Sequence, residues 1–92
     1  MTKFSKFDAA DYLKDADDII AYLDTWFEDG SADEIKRALA TVARSKGITD
    51  LARKTGLSRE AIYKALGDEG NPTLSTLLAI VTALGLKLRL AA

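Results

Sequence analysis

The 92-residue chain has no cysteine and no histidine, a single proline, and no apolar run longer than five residues, as in Leu77 to Val81. Without cysteine there is no disulfide framework and no thiolate chemistry, which suits a reducing cytoplasm. Without histidine the commonest metal ligand and the commonest general base are both missing. Triad hydrolases, zinc sites and haem sites are thereby excluded in their usual forms, and neither enzymatic activity, a cofactor nor a metal is expected. The apolar runs are far too short to span a bilayer. Residues 1–8 have no apolar stretch after their two lysines, so they do not read as a secretion signal. The expectation is a cytoplasmic protein with no membrane contact.

What is present fits one small globular domain: 48% of residues are apolar and 29% charged. A chain this short buries only about two-thirds of its unfolded surface, so it needs tight packing or a partner. The net charge of −1 hides an asymmetry. Residues 1–30 hold eight acids against three lysines, a net −5, and residues 31–92 hold ten bases against six acids, a net +4. Within 44–66 six bases stand against Asp50 and Glu60. Such a split suits an anionic partner at one end and a cationic one at the other. Two ordinary solvated helix faces would look the same.

The patterning is helical with one exception. Asp8 is placed to cap a short first helix, and Asp15 a longer one with Asp17 and Asp18 in its first turn. The stripe of that second helix is Ile19/Ile20, Leu23 and Trp26/Phe27. Ser31 and Glu34 form a capping box for a helix running to about Ser45 that buries Ile35, Ala38, Leu39 and Val42. Thr49 reads as the cap of a short helix ending near Thr55, and Ser58 as the cap of another ending near Leu66. Asn71-Pro72 is extended. Thr73 opens a last helix carrying Leu74, Leu77, Leu78, Val81 and Leu84, with Ile80 off that stripe. After Gly85 the alternation Leu86-Lys87-Leu88-Arg89-Leu90 predicts a strand, although no second strand is visible to pair with it. The expected fold is an all-α small helical bundle with a short C-terminal β-strand. Residues 1–30 form an acidic helical segment packed on a domain of residues 31–92.

The stretch from Ile48 to Leu66 carries the functional signal. Two short helices joined by Thr55-Gly56-Leu57-Ser58 match the helix-turn-helix arrangement, whose second helix enters the DNA major groove. Ala52 is small enough for close helix approach, Gly56 supplies left-handed dihedrals, and Leu51, Leu57 and Ile62 pin the second helix. Its outward residues are Arg59, Glu60, Tyr63 and Lys64. Arginine reads guanine edges and glutamate accepts from cytosine. Lys46, Arg53, Lys54 and Lys64 are placed for phosphates, which position without reading sequence. Thr49 and Ser58, at the two helix starts, complete the candidate DNA-binding set. Tyr63 suits stacking on a base and packing at the helix edge equally well.

Leu51-Ala52-x3-Gly56-x-Ser58-x3-Ile62, then Asn71-Pro72-Thr73-Leu74, then Leu77-x2-Ile80-x2-Ala83-Leu84-Gly85, resembles the Cro/CI-type (lambda repressor-like) helix-turn-helix family over residues 31–90. More narrowly, Phe7-Asp8-Ala9-Ala10-Asp11-Tyr12-Leu13, the run from Gly56 to Leu66, and Glu69-Gly70-Asn71-Pro72 are similar to HigA-like addiction-module antidotes. That resemblance implies a dimeric repressor of its own operon that also neutralises a RelE/HigB-like toxin, commonly an mRNA-cleaving ribonuclease. In the broader family a glutamate often follows the recognition helix. Here Leu66 stands near that place, with the acids at Asp68 and Glu69.

The residues themselves agree with this. A nuclease that grips RNA is cationic, and an acidic segment of net −5 complements it. The alternative is a stand-alone phage-type transcriptional repressor with no toxin partner. Asp8, Asp11 and Asp15 have spacings suited to a cation site, but read better as caps and surface charge. A two-fold operator calls for a homodimer, expected through the tail strand with help from Ile80. The tail could instead complete a toxin's sheet or fold back on its own domain.

Overall fold

The computed structural model describes residues 8–92, so the readings made on residues 1–7 lie outside it. A short 3₁₀ helix, Ala9–Tyr12, precedes α1 (Ala16–Asp29), α2 (Ala32–Lys46), α3 (Ile48–Thr55), α4 (Arg59–Leu66) and α5 (Leu74–Ala83). The caps follow the expected chemistry at four helix starts. The Asp15 carboxylate accepts from the Asp18 N–H at 2.9 Å, and the Asp18 carboxylate accepts in return from the Lys14 N–H at 2.9 Å. Ser31 and Glu34 close a full capping box, Ser58 accepts from the Ala61 N–H, and Thr73 accepts from the Thr76 N–H. Each such cap contributes about 1 kcal/mol by satisfying an amide that the helix cannot.

α2 is the organising helix: α1, the 3₁₀ helix, α3 and α4 all pack on it, while α5 packs on α3. Ile19 and Leu23 of α1, Leu39, Val42 and Ala43 of α2, Leu51 of α3, Ile62 and Leu66 of α4, and Ile80 and Leu84 near the end of the last helix share one core. In α1 the ambiguous stripe resolves to Ile19, Leu23 and Trp26, and Ile20 and Phe27 remain exposed. Adjacent residues sit about 100° apart on a helix, so only one of each pair can face α2.

The 3₁₀ helix is fastened to the far end of α2. Arg44 forks onto the Asp8 carboxylate at 2.9 and 3.3 Å, and the Ser45 hydroxyl donates to the Leu13 carbonyl at 3.2 Å. The Arg44 guanidinium, followed by the Ala10 N–H, holds the Asp8 carboxyl below its ordinary value. Asp8 and Asp15 are thus engaged as helix caps, and Asp8 also as an ion-pair partner.

Three expectations are corrected. First, α3 begins at Ile48 with Gly47 at its N-cap and no side-chain cap bond, so Thr49 lies inside the first turn, exposed. Starting there puts Ile48 in the core beside Leu51. Second, the buried face of α5 runs through Leu77, Ile80, Val81 and Leu84, with Ile80 fully enclosed, while Leu74 and Leu78 are exposed. Ile80 is therefore unavailable to any interface. Third, no strand occurs among the described residues. Leu86 donates its N–H back to the Val81 carbonyl and packs against the core, and the backbone beyond it finds no ladder partner. A strand exists only through inter-strand bonds, and the described residues offer no second one. No helix of the described residues is long and apolar enough to cross a membrane.

Candidate nucleic-acid interface

α3 and α4 are joined by Gly56, Leu57 and Ser58. Gly56 takes the left-handed conformation, φ +78°, and donates its N–H to the Ala52 carbonyl. The Thr55 hydroxyl donates to the Leu51 carbonyl at 2.8 Å and accepts from the Leu57 N–H at 3.1 Å. Thr55 thus binds the turn to the helix before it, while Ser58 binds it to the helix after it. Behind the turn, Leu51, Ile62 and Leu66 are buried with Ala52 and Leu57 packed against them. Ahead of it, Arg59, Glu60, Tyr63 and Lys64 are all exposed. The eight residues of α4 therefore present one apolar and one polar side, as the sequence predicts.

The six bases of residues 44–66 are not equivalent. Arg44 is spent on Asp8. Asp50 holds both Arg53 and Lys54, the latter at 3.2 Å. The Lys54 hydrogen bond, with the nearby Lys54 and Arg53 charges, keeps the Asp50 carboxyl below its ordinary value. Lys46, Arg59 and Lys64 pair with no acid among the described residues. Lys46 closes α2, exposed, and Thr49 stands exposed one helix further on. The unneutralised cations are thus at the end of α2 and on the outward side of α4.

Lys36 is a site residue that sequence reasoning missed. Its ammonium donates to the carbonyls of Gly67, Asp68 and Gly70 at 3.1, 3.4 and 2.5 Å, and lies 3.3 Å from the Asp33 carboxylate. All three donors of an ammonium are needed for such a cradle. It ties the loop that leaves α4 to α2. Gly70 completes the arrangement by close approach, since a Cβ there would overlap the Lys64 and Ala65 carbonyls. The acceptors are backbone atoms more than thirty residues away, so no side-chain pattern in the sequence marks Lys36. Asp68 also meets Arg37 at 3.8 Å, an exposed and weak pair.

Comparison with known proteins bears on this arrangement. A family model described as probable addiction module antidote protein matches residues 3–92. An uncharacterized protein of Haemophilus influenzae is 37% identical over 81 residues, covering 88% of this chain and 84% of its own length. No solved structure matches the chain. The family match spans nearly all of the sequence, acidic segment included, and the Haemophilus relative is similar over most of both chains. The chain therefore belongs to the addiction module antidote family, and as an antidote it implies a toxin partner.

Proposed function

We propose that this antidote represses its own operon by binding operator DNA as a homodimer through a Cro/CI-type helix-turn-helix, with α4 as the recognition helix, and that its toxin is RelE/HigB-like. The observation that carries the DNA reading is the outward side of α4. Arg59 and Lys64 are exposed and unneutralised beside exposed Tyr63, while the opposite side is locked into the core. A rigid helix presenting free cations is what major-groove reading requires. Ser58 and Thr49 stand at the two helix starts, with their N–H groups and side chains near a backbone-contacting position. Lys46, Arg53 and Lys54 supply phosphate contacts, the last two after exchanging Asp50 for phosphate. Glu60 selects against bases that offer no donor. The acidic segment supports the toxin reading, since α1 presents Asp17, Asp24, Glu28 and Asp29 to solvent, and an RNA-binding toxin is cationic.

The test is a titration of Arg59→Ala and Lys54→Ala against the duplex upstream of the gene and a scrambled duplex. Arg59→Ala is expected to lose about 1–3 kcal/mol on the operator alone. Lys54→Ala is expected to weaken both duplexes alike and lower the salt slope by roughly one. Equal losses on both duplexes for Arg59→Ala overturn the recognition assignment. Co-purification with the product of the adjoining reading frame tests the toxin arm, and a product that is neither toxic nor retained refutes it.

A further inference from the structure

Two grooves flank Phe27, a large apolar side chain left 36% exposed near the end of α1. In the one toward the tail, Asp24 shares the lining with Lys87 and Arg89, so charges of both signs meet there. The other, about 540 Å³, lies between the start of α2 and the loop that leaves α4. Phe27, Ile35 and Leu77 give it apolar surface, and Asp33, Asp68 and Glu69 give it carboxylates. Among the described residues Lys36 is the one cation in that lining. Its ammonium is spent on the Gly67, Asp68 and Gly70 carbonyls and on Asp33. Asp68 is 84% exposed and meets Arg37 only at 3.8 Å. Glu69 is exposed and pairs with no cation among the described residues. Glu28 and Asp29, next to Phe27, close α1, where the helix's own carbonyls are already partly negative. Neither forms an ion pair among the described residues. The groove therefore joins apolar surface to unneutralised acid.

We infer that this second groove receives an arginine-bearing segment of the toxin, with the guanidinium toward Asp68 and Glu69 and apolar atoms of the segment against Phe27. Charge decides the occupant. A nucleic acid would be repelled by the acids around the groove, whereas a cation meets no free positive charge in its lining. In the groove toward the tail the same cation would meet Lys87 and Arg89. Arginine suits the site better than lysine, because its planar fork matches a carboxylate and its long stem covers apolar surface. The wall that carries Asp68 and Glu69 is the loop held by Lys36, so the two acids are in place before the partner arrives. Contact that needs no ordering loses less of its strength to entropy. This place and chemistry rest on the reading of the toxin as a cationic, RNA-binding protein.

Calorimetric titration of the full chain with the purified product of the adjoining reading frame tests it. The parent is expected to bind, with slowed amide exchange in residues 67–70 of the complex. Asp68→Lys combined with Glu69→Lys is expected to weaken binding about tenfold or more. Phe27→Ala is expected to weaken it by about tenfold, with helical circular dichroism unchanged. Asp68 and Glu69 are exposed and outside the helices, so their variant keeps the test valid should Phe27→Ala fail to fold. Leu88→Ala, in the groove toward the tail, is expected to change binding by less than about threefold. Binding that survives the groove variants, or that Leu88→Ala abolishes instead, overturns the inference and leaves the toxin reading standing. So do groove variants that still bind the product but sediment as smaller species than the parent, which would give the groove to a second copy. A parent that binds no product overturns both, since the toxin reading then fails first.

Discussion

The two ends of α4 are held in place by different physics. At its start, Gly56 is a conformational requirement: the left-handed backbone favours glycine, yet the space around it is open. At its end, Gly70 is a packing requirement: the backbone is ordinary, and the carbonyls of Lys64 and Ala65 leave no room for a side chain. The first end is closed locally by Thr55 and Ser58. The second is closed from a distance by Lys36 of α2. One helix is thus aimed by a turn that neighbouring residues encode and by a loop that only the folded chain encodes.

Substitutions break this contrast in a definite order. Gly70→Ala is expected to cost most, about 3 kcal/mol, because carbonyls of the helix itself must move to admit the methyl group. Chemical denaturation reads it, and a parent-like midpoint would show that the loop yields freely. Lys36→Met keeps the aliphatic stem but strips the cradle of its ammonium, and is expected to lose about 2 kcal/mol. Amide exchange in residues 67–70 should rise with it while exchange around Gly56 stays unchanged. Gly56→Ala meets no atom, so its cost is backbone strain alone, about 1–2 kcal/mol. A β-branched residue such as valine should cost more and displace the helix.

The smallest effect belongs to Asp50→Asn, which removes two exposed pairs from the first turn of α3 and is expected to leave the melting temperature nearly unchanged. Its sign with pH is fixed. The folded Asp50 carboxyl sits below its ordinary value of 3.8. Whatever it contributes is therefore present above that value and lost as pH falls through the folded one. Any difference between parent and variant should vanish in acid, and a difference that grows there would contradict the assignment.

Much of this was legible in the sequence, and the failures share causes. Asp15, Ser31, Ser58 and Thr73 could be read as caps because capping is a local contact over three residues. The outward row of α4 was legible because its apolar and polar residues separate cleanly. α5 was not, because Leu74, Leu77, Leu78, Ala79, Ile80 and Val81 make it apolar nearly all round. Periodicity cannot choose a face there, and packing on α3 chose the one containing Ile80. Thr49 misled because Gly47 alone joins α2 to α3, leaving no residue for a side-chain cap before Ile48. The tail has strand patterning without a ladder, since pattern records which side chains alternate and says nothing of what they pair with. Leu86 belongs to the core, so a truncation meant to spare the fold must fall after it.

Asp50 has one more consequence. DNA binding draws much of its strength from the entropy of ions freed when cations meet phosphates. Arg53 and Lys54 already hold a carboxylate of their own chain. When phosphate displaces Asp50, the cations condensed on the DNA are still released, but the two pairs with Asp50 are given up in exchange. On the DNA reading, sequence-independent affinity is then weaker than a count of the bases suggests, while the salt slope still counts every phosphate met. Arg59 and Lys64 keep their full share. Asp50 would thereby lower binding to every duplex alike, leaving the choice between sites to Arg59.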